Sequence, residues 1–531
     1  MKNTNAILFS IFFHFFSKKQ FKGTHKKLYQ STGIKQCKGF SGYLSMQRIC
    51  IAGAGIGGLA ASIRLAQAGF NVHVFEQKSD AGGKMAEIKG AGFRFDAGPS
   101  LFTMPHYVER LLNNEIPFEY QKLHILCHYF FSDGTFFACP SEPETFISNA
   151  SKHFNDDAKA IRKHLKHSEY LYKITAPVFL EKSLHRLSTY THKYGLRGIL
   201  NLPKIGINKS MHTANCNRFR SKNLIQLFDR YATYNGSNPW KAPSTLNVIP
   251  HLEMGIGAFI PKGGMVSIAR ALQKRATQLG VTFHFNQFVS AICTEKNKIT
   301  GLIANGTMHP ADLVLSNLDV RLTYKLLNLP LPVKIKKSEP SSSALIFYWG
   351  IRGQFPKLDL HNILFSGDYK REFQNIFENG SIDEDPTVYI NISSKFEPGD
   401  APKDCENWFV MINTPANRGQ NWEDLRKQAR KFIIQKINSA LSCNIEDSIE
   451  FEEYLDPVRI ETLTGSTFGS LYGSSSNNLM SAFFRQANFS SKIKGLYFCG
   501  GSVHPGGGIP LCILGGNIAS DIIIKKHHAS R

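Results

Sequence analysis

The stretch IAGAGIGGLAASIRLAQAGFNVHVFE, from Ile51 to Glu76, constrains this chain more than any other. It carries Gly53-x-Gly55-x-x-Gly58, with Gly57 just before the third glycine. Upstream, Arg48 to Ala52 is a short apolar run containing β-favouring isoleucines and predicts a buried strand. Downstream, Leu59, Ile63, Leu65 and Ala66 recur at helical spacing, and Gly69 ends the helix where a C-terminal glycine belongs. Asn71 to Phe75 reads as a second strand with Glu76 at its carboxyl end. Together these pieces form a β-α-β unit. Its glycines permit a tight turn and close approach of backbone to a pyrophosphate, whose charge the helix N-terminus favours. Glu76 is suited to accept hydrogen bonds from ribose hydroxyls, and its charge disfavours a 2′-phosphate there.

Two more glycine segments follow the same logic. Gly82-Gly83-Lys84 offers backbone donors and a cation close behind Glu76, and Asp96-Ala97-Gly98-Pro99 follows it. Near the other end of the chain stands GLYFCGGSVHPGGGIPLCILGGNIASDIII. There Leu496 to Cys499 predicts a strand and Gly500-Gly501 a turn. A helix then starts at Ile509, with Pro510 in its first turn, where a missing N–H costs little. A strand feeding a glycine loop and then a helix N-terminus directs partial positive charge at a ligand.

These motifs resemble those of the flavin-dependent amine oxidase and carotenoid desaturase superfamily. HPGGGIPL resembles the C-terminal signature of the phytoene desaturase family within it. AFIPKGGMVSIARAL (Ala258 to Leu272) and VTFHFNQFVSAI (Val281 to Ile292) resemble the family's central motif and the strand pair after it. FDAGPSLFTMP, FDRYATYNGSNPW and SSSALIFYWGI look closest to bacterial 1-hydroxycarotenoid 3,4-desaturases. The likeness covers nearly all of Gln47 to Asp521.

The resemblance implies an α/β fold: an FAD-binding Rossmann-like domain of the GR2 or amine-oxidase type, with a discontinuous α+β substrate domain. The FAD domain is expected from residues 46–115, 258–325 and 455–531, and the substrate part from 116–257 and 326–454. FAD is expected to contact Gly53, Gly55, Gly57, Gly58, Glu76, Gly82, Gly83, Lys84, Gly98, Pro99, Val289, Gly500, Gly501, Ile509 and Pro510. Val289 matches the position whose backbone meets adenine in relatives. The implied reaction is desaturation of an acyclic carotenoid, at the 3,4 position of a 1-hydroxycarotenoid or in phytoene. Isomerisation or saturation by reduced FAD, and oxidation of a small amine, are the competing readings.

A desaturase removes hydride and a proton from neighbouring carbons, so orientation and exclusion of water matter more than a strong acid-base pair. No Ser-His-Asp or Cys-His arrangement has convincing spacing. His504 is the nearest ionisable candidate for a proton acceptor, and a structural role in its glycine loop competes with that reading. Arg94 and Asp96 read as a salt bridge or turn pair, and Cys499 and Cys512 as packing residues. Absence of a second strand–GxGxxG–helix unit suggests that electrons leave to oxygen or a quinone and not to a bound nicotinamide.

Bulk properties set the remaining limits. With 531 residues, 42% hydrophobic and 20% charged, the chain is globular and longer than a single core. Its ten cysteines contain no C-x-x-C pair, so neither a zinc cluster nor a disulfide framework is indicated, and a reducing, cytoplasmic setting is expected. The net charge of +22 suits an anionic membrane surface, whereas no basic stripe interleaved with aromatics supports nucleic-acid binding. Residues 1–45 hold eight lysines and no acid. Their apolar run Ala6–Phe16 is too short to span a bilayer, which takes roughly 20 residues. This basic extension is expected to be disordered or to precede the mature start near Met46. A peripheral membrane protein follows. Abundant phenylalanine, 40 residues, is compatible with a polyene tunnel.

Overall fold

The computed structural model describes residues 47–191, 206, 208–478, 481 and 485–529. The expectations for residues 1–45 lie outside the described residues.

Five short apolar strands build one parallel sheet. They are β1 (Arg48–Ala52), β2 (Asn71–Phe75), β3 (Thr282–His284), β4 (Leu313–Ser316) and β5 (Leu496–Phe498), in the spatial order β3-β2-β1-β4-β5. Ile49 pairs with Val72 on one side and Leu313 on the other, which fixes the register at the centre. A parallel sheet is covered on both faces, so its strands are apolar throughout and not alternating. The pleat divides β1 between the two layers: Ile49 and Ile51 join the helical core, and Cys50 and Ala52 face the other layer.

The helical layer consists of α1 (Ile56–Gln67), α2 (Val266–Gln278) and α3 (Ile509–His528), with α1 packed against both others. Leu59, Ile63, Ile268, Leu272, Ile513 and Leu514 interlock there, all buried. α1 and α3 approach closely because both present glycine: a Cβ on Gly516 would lie 2.4 Å from the Gly57 carbonyl oxygen. The opposite layer is a three-stranded antiparallel sheet of Val289–Glu295, Lys298–Ala304 and Thr307–Pro310.

A second sheet has seven strands. From one edge they are Ile449–Leu455, Ser343–Arg352, Cys405–Thr414, Val388–Ile392, His361–Leu364, Ile125–Phe130 and Phe136–Pro140. Every pair is antiparallel except His361–Leu364 with Ile125–Phe130. The β-rich runs ALIFYWGI, TVYINI and WFVMIN form three of these strands. The helix Trp422–Leu441 covers one face through Ile433 and Ile437 against Trp349 and Trp408. Helices Pro143–Phe154, Ala158–Thr175 and Lys222–Asp229 belong to a further core built on Tyr129, Phe146, Phe228 and Phe365. Helices were expected between Asp156 and Arg230; residues 192–205 and 207 of that stretch lie outside the described residues.

The hairpin Glu87–Gly90/Phe93–Asp96 joins the two sheets. Phe93 and Phe95 pack on Ala344, Ile346 and Tyr348 of the larger sheet. Asp96 meanwhile accepts from the Met265 amide at the start of α2, at 3.0 Å, and from Arg94 Nη2 at 2.6 Å. Arg94 also bonds Glu87 and Asp400, so this pair is the internal salt-bridge hub of the junction. Among the described residues no helix is long and apolar enough to cross a membrane.

Candidate active site

At the carboxyl ends of the parallel strands the glycine segments meet. Gly53 turns the chain out of β1 with φ +94°, a conformation that glycine adopts without strain. The Gly82 amide donates to the Ala54 carbonyl at 2.9 Å, and a Cβ on Gly83 would touch the Gly55 Cα at 3.2 Å. Gly98 lies on the Lys84 carbonyl, where a Cβ would come within 2.2 Å. From the far end of the sequence, the Gly500 amide approaches Gly57 closely enough that a Cβ there would stand 3.1 Å away. Asn317, just beyond β4, knots these loops together. Its amide donates to the Gly53 carbonyl at 3.2 Å, and its carbonyl accepts from Cys499 Sγ at 3.4 Å.

Glu76 is held at the end of β2. Its Oε2 accepts from the Ala54 amide at 2.8 Å and its Oε1 from the Lys78 amide at 3.1 Å. Its own backbone is pinned by His284 and Gln287, which brings Val289 alongside. Lys84 is directed elsewhere than the sequence suggested. Its Nζ donates to the Leu471 carbonyl at 2.9 Å and the Ser470 carbonyl at 3.3 Å, and burial lowers its pKa.

One cavity of 850 Å³ runs along this crevice and into the larger sheet. It is lined by Gly53, Gly55, Gly57, Glu76, Gly82, Gly83, Lys84, Gly98, Pro99, Val289, Gly500, Gly501, Ile509 and Pro510. Gly58 does not line it. A Cβ at Gly58 would fall 2.4 Å from the Gly53 carbonyl, so this third glycine serves helix–strand packing. Beyond the glycines the walls turn apolar, with Leu126, Leu246, Ile249, Ile346, Ile363 and Phe409. A polar group interrupts them. Arg230 Nη2 and Glu253 Oε1 pair at 2.9 Å with both side chains buried, and Tyr231 and Tyr234 donate to the same carboxylate. The Arg230 guanidinium lies over the Tyr231 ring at 4.4 Å. Burial is the largest influence and opposes its charge, but Glu253 and the surrounding tyrosines together outweigh it and keep the guanidinium protonated.

His504 lines the cavity, yet its Nε2 lies 2.8 Å from the Lys182 carbonyl and burial lowers its pKa to about 3. It is therefore a neutral donor tied to backbone, with no poised basicity near neutral pH. Cys512 is pushed up to about 11 and Cys499 upward as well by burial, so neither supplies a thiolate. No cluster of metal ligands occurs among the described residues.

The helix starts show what the crevice can hold. Helices starting after Glu142, Asp157, Ser221, Asn421 and Asp456 are capped by those side chains. α1 and α3 start instead after Gly55 and Gly508, with no side-chain cap, and both glycines line the cavity. Their amides are left for a ligand, and two helix dipoles favour an anionic one. Gly508 has φ +103° and nothing within 4 Å of a built Cβ, so any side chain there would project into open cavity space. These features fit a flavin dinucleotide. Glu76→Gln should keep the Ala54 contact but remove the carboxylate charge from this end of the crevice, and flavin retention on gel filtration should fall about tenfold.

Sequence reasoning missed Asn317, Gly508 and the Arg230–Glu253 pair. Asn317 sits one residue past β4, at the carboxyl edge of the sheet, where ligand-binding loops cluster. Nothing in local spacing relates Arg230 to Glu253, because the contact joins two irregular helical segments.

Comparison with known proteins agrees with this geometry. The family described as flavin containing amine oxidoreductase matches residues 56–524. A 1-hydroxycarotenoid 3,4-desaturase from Flavobacterium sp. (strain P99-3) is 49% identical over 484 residues, 90% of this chain and 99% of that protein. A 4,4′-diapolycopene oxygenase from Methylomonas sp. is 31% identical over 491 residues, 90% and 98% of the respective chains. Among solved structures, an oxidoreductase from Methanosarcina mazei aligns with TM-score 0.60 at 17% identity, over 89% of this chain and all of that one. Cyclohexylamine oxidase from Brevibacterium oxydans IH-35A aligns with TM-score 0.59 at 13% identity, over 91% and 100%. These two likenesses establish the fold. With its parallel glycine crevice, its flavin-type fold and a family match across nearly the whole described chain, this protein is an oxidoreductase belonging to the flavin containing amine oxidoreductase family, in company with the carotenoid desaturase and oxygenase relatives.

Proposed function

We propose that this protein is an FAD-dependent desaturase that introduces C=C bonds into an acyclic carotenoid, with a 1-hydroxycarotenoid as substrate and the 3,4 bond as its target. The observation that carries the reading is one continuous cavity linking the glycine crevice to an apolar passage under the seven-stranded sheet. The relative of highest identity quoted above bears that activity in its name. Segments 46–115, 258–325 and 455–531 form the flavin part, and 116–257 with 326–454 the substrate part.

FAD accepts hydride when bound. The chain holds it and shields the reacting carbons. Gly53, Gly55 and Gly57 let backbone approach the pyrophosphate, with Gly82 and Gly83 alongside. Glu76 takes the ribose, Val289 borders the adenine, and Lys84 braces the crevice through the carbonyls of Ser470 and Leu471. Gly98, Pro99, Gly500, Gly501, Ile509 and Pro510 border the ring end, where the start of α3 favours the negative charge gained on reduction. Leu126, Ile346 and Phe409 exclude water from a carbon chain on which positive charge develops. His504, neutral and bonded to Lys182, positions its loop without accepting the proton. Electrons leave to oxygen or a quinone. The excess of cations favours work at an anionic membrane surface, where such a substrate dissolves.

Expression in hosts accumulating phytoene, lycopene or a 1-hydroxylycopene tests the reading. The 1-hydroxy host should gain pigment whose absorption is shifted to longer wavelength by one added double bond. No shift in any host, from protein that carries flavin, overturns it.

A further inference from the structure

An apolar cavity wall has no need of buried donors, yet this one contains a connected set. His361, on the strand His361–Leu364, is buried and lines the cavity. Its Nδ1 accepts from Asn391 Nδ2 at 3.2 Å and faces the Tyr389 hydroxyl at 2.7 Å. The Asn391 amide bonds the Leu360 carbonyl as well, at 3.0 Å. Tyr389 reaches Ser100 Oγ at 2.7 Å. Because the Asn391 amide nitrogen can only donate, Nδ1 must be the acceptor and the neutral ring carries its hydrogen on Nε2. Burial keeps the ring neutral by lowering its pKa to about 3, with the charge of Arg230 adding to the effect. Nε2 is itself buried and has no hydrogen-bond partner in the protein. A buried donor left without a partner is costly unless a ligand satisfies it.

Its place in the cavity points to which ligand. Ser100 follows two residues after Gly98, which rests on the Lys84 carbonyl. The donor network therefore begins where the glycine crevice opens into the apolar passage. In a 1-hydroxycarotenoid, a single carbon separates the hydroxyl-bearing carbon from the 3,4 pair. Its oxygen must sit beside the reacting bond, not at the remote end of the polyene. Resting on the desaturase reading above, we infer that His361 is a specificity-determining residue whose Nε2–H donates to the substrate's tertiary hydroxyl and so sets the 3,4 bond in register.

The test compares a 1-hydroxycarotenoid with its 1-deoxy counterpart on flavin-loaded enzyme. Both kcat/KM and the pigment retained by the holoenzyme on gel filtration are measured. His361→Phe keeps a ring of similar outline but removes the donor. It should lower kcat/KM and retention for the hydroxylated substrate at least about tenfold while leaving those for the deoxy substrate unchanged or raised. Equal losses on both substrates, or no loss on either, overturn the inference. Should His361→Phe fail to hold flavin, Tyr389→Phe decides in the same way. That variant leaves the histidine but loosens its ring, and the hydroxyl-selective loss should persist in weaker form. Wild-type enzyme that desaturates both substrates equally sinks this inference and leaves the desaturase reading standing. Wild-type enzyme that desaturates neither sinks that reading itself.

Discussion

Gly55→Val should purify colourless, with flavin absorbance lost and turnover reduced by more than about a hundredfold. The first atom of the new side chain would lie 2.7 Å from Asn317 Nδ2, the group that ties the turn to β4. Its two methyls would extend further, into the cavity that Gly55 lines. Accommodating them means breaking the Asn317 bond to the Gly53 carbonyl or closing the crevice. Gly55 has an ordinary extended backbone, φ −68°, so the loss comes from crowding and not from strain. Circular dichroism should remain that of a folded protein. A yellow variant with full flavin occupancy would contradict the phosphate position proposed above.

Arg230→Met should be the most destabilising single change near the cavity. Removing the cation leaves Glu253 buried with only tyrosine hydroxyls, a loss of about 3–5 kcal/mol. Urea midpoints check this, and a variant as stable as the parent would contradict the assignment. Arg230→Met combined with Glu253→Leu should recover much of the loss, because no charge is then stranded.

Much of the crevice was legible in the sequence because its physics is local. The strand Arg48–Ala52, the turn at Gly53 and the strand Asn71–Phe75 are set by neighbouring residues, and the structure reproduces those bounds. The helix at Ile509 likewise announces itself by Pro510. Lys84 was misdirected because its partners are carbonyls of residues 470 and 471, invisible to spacing. His361, Tyr389 and Asn391 come from adjacent strands whose pairing sequence periodicity cannot give. Gly58 shows a subtler mismatch, since a motif glycine can serve the helix beside a ligand without bordering the ligand.

The order of strands in the parallel sheet has a consequence for biogenesis. β1 and β2 emerge early from the ribosome, yet β5 and the helix after it are made last. The outer edge of β4 therefore stays unpaired from the synthesis of Ser316 until Leu496 is made, at roughly 5–20 residues per second. Coenzyme capture is then a post-translational event, and a nascent chain stalled before Leu496 should be a client for chaperones, with its greasy strand edge uncovered.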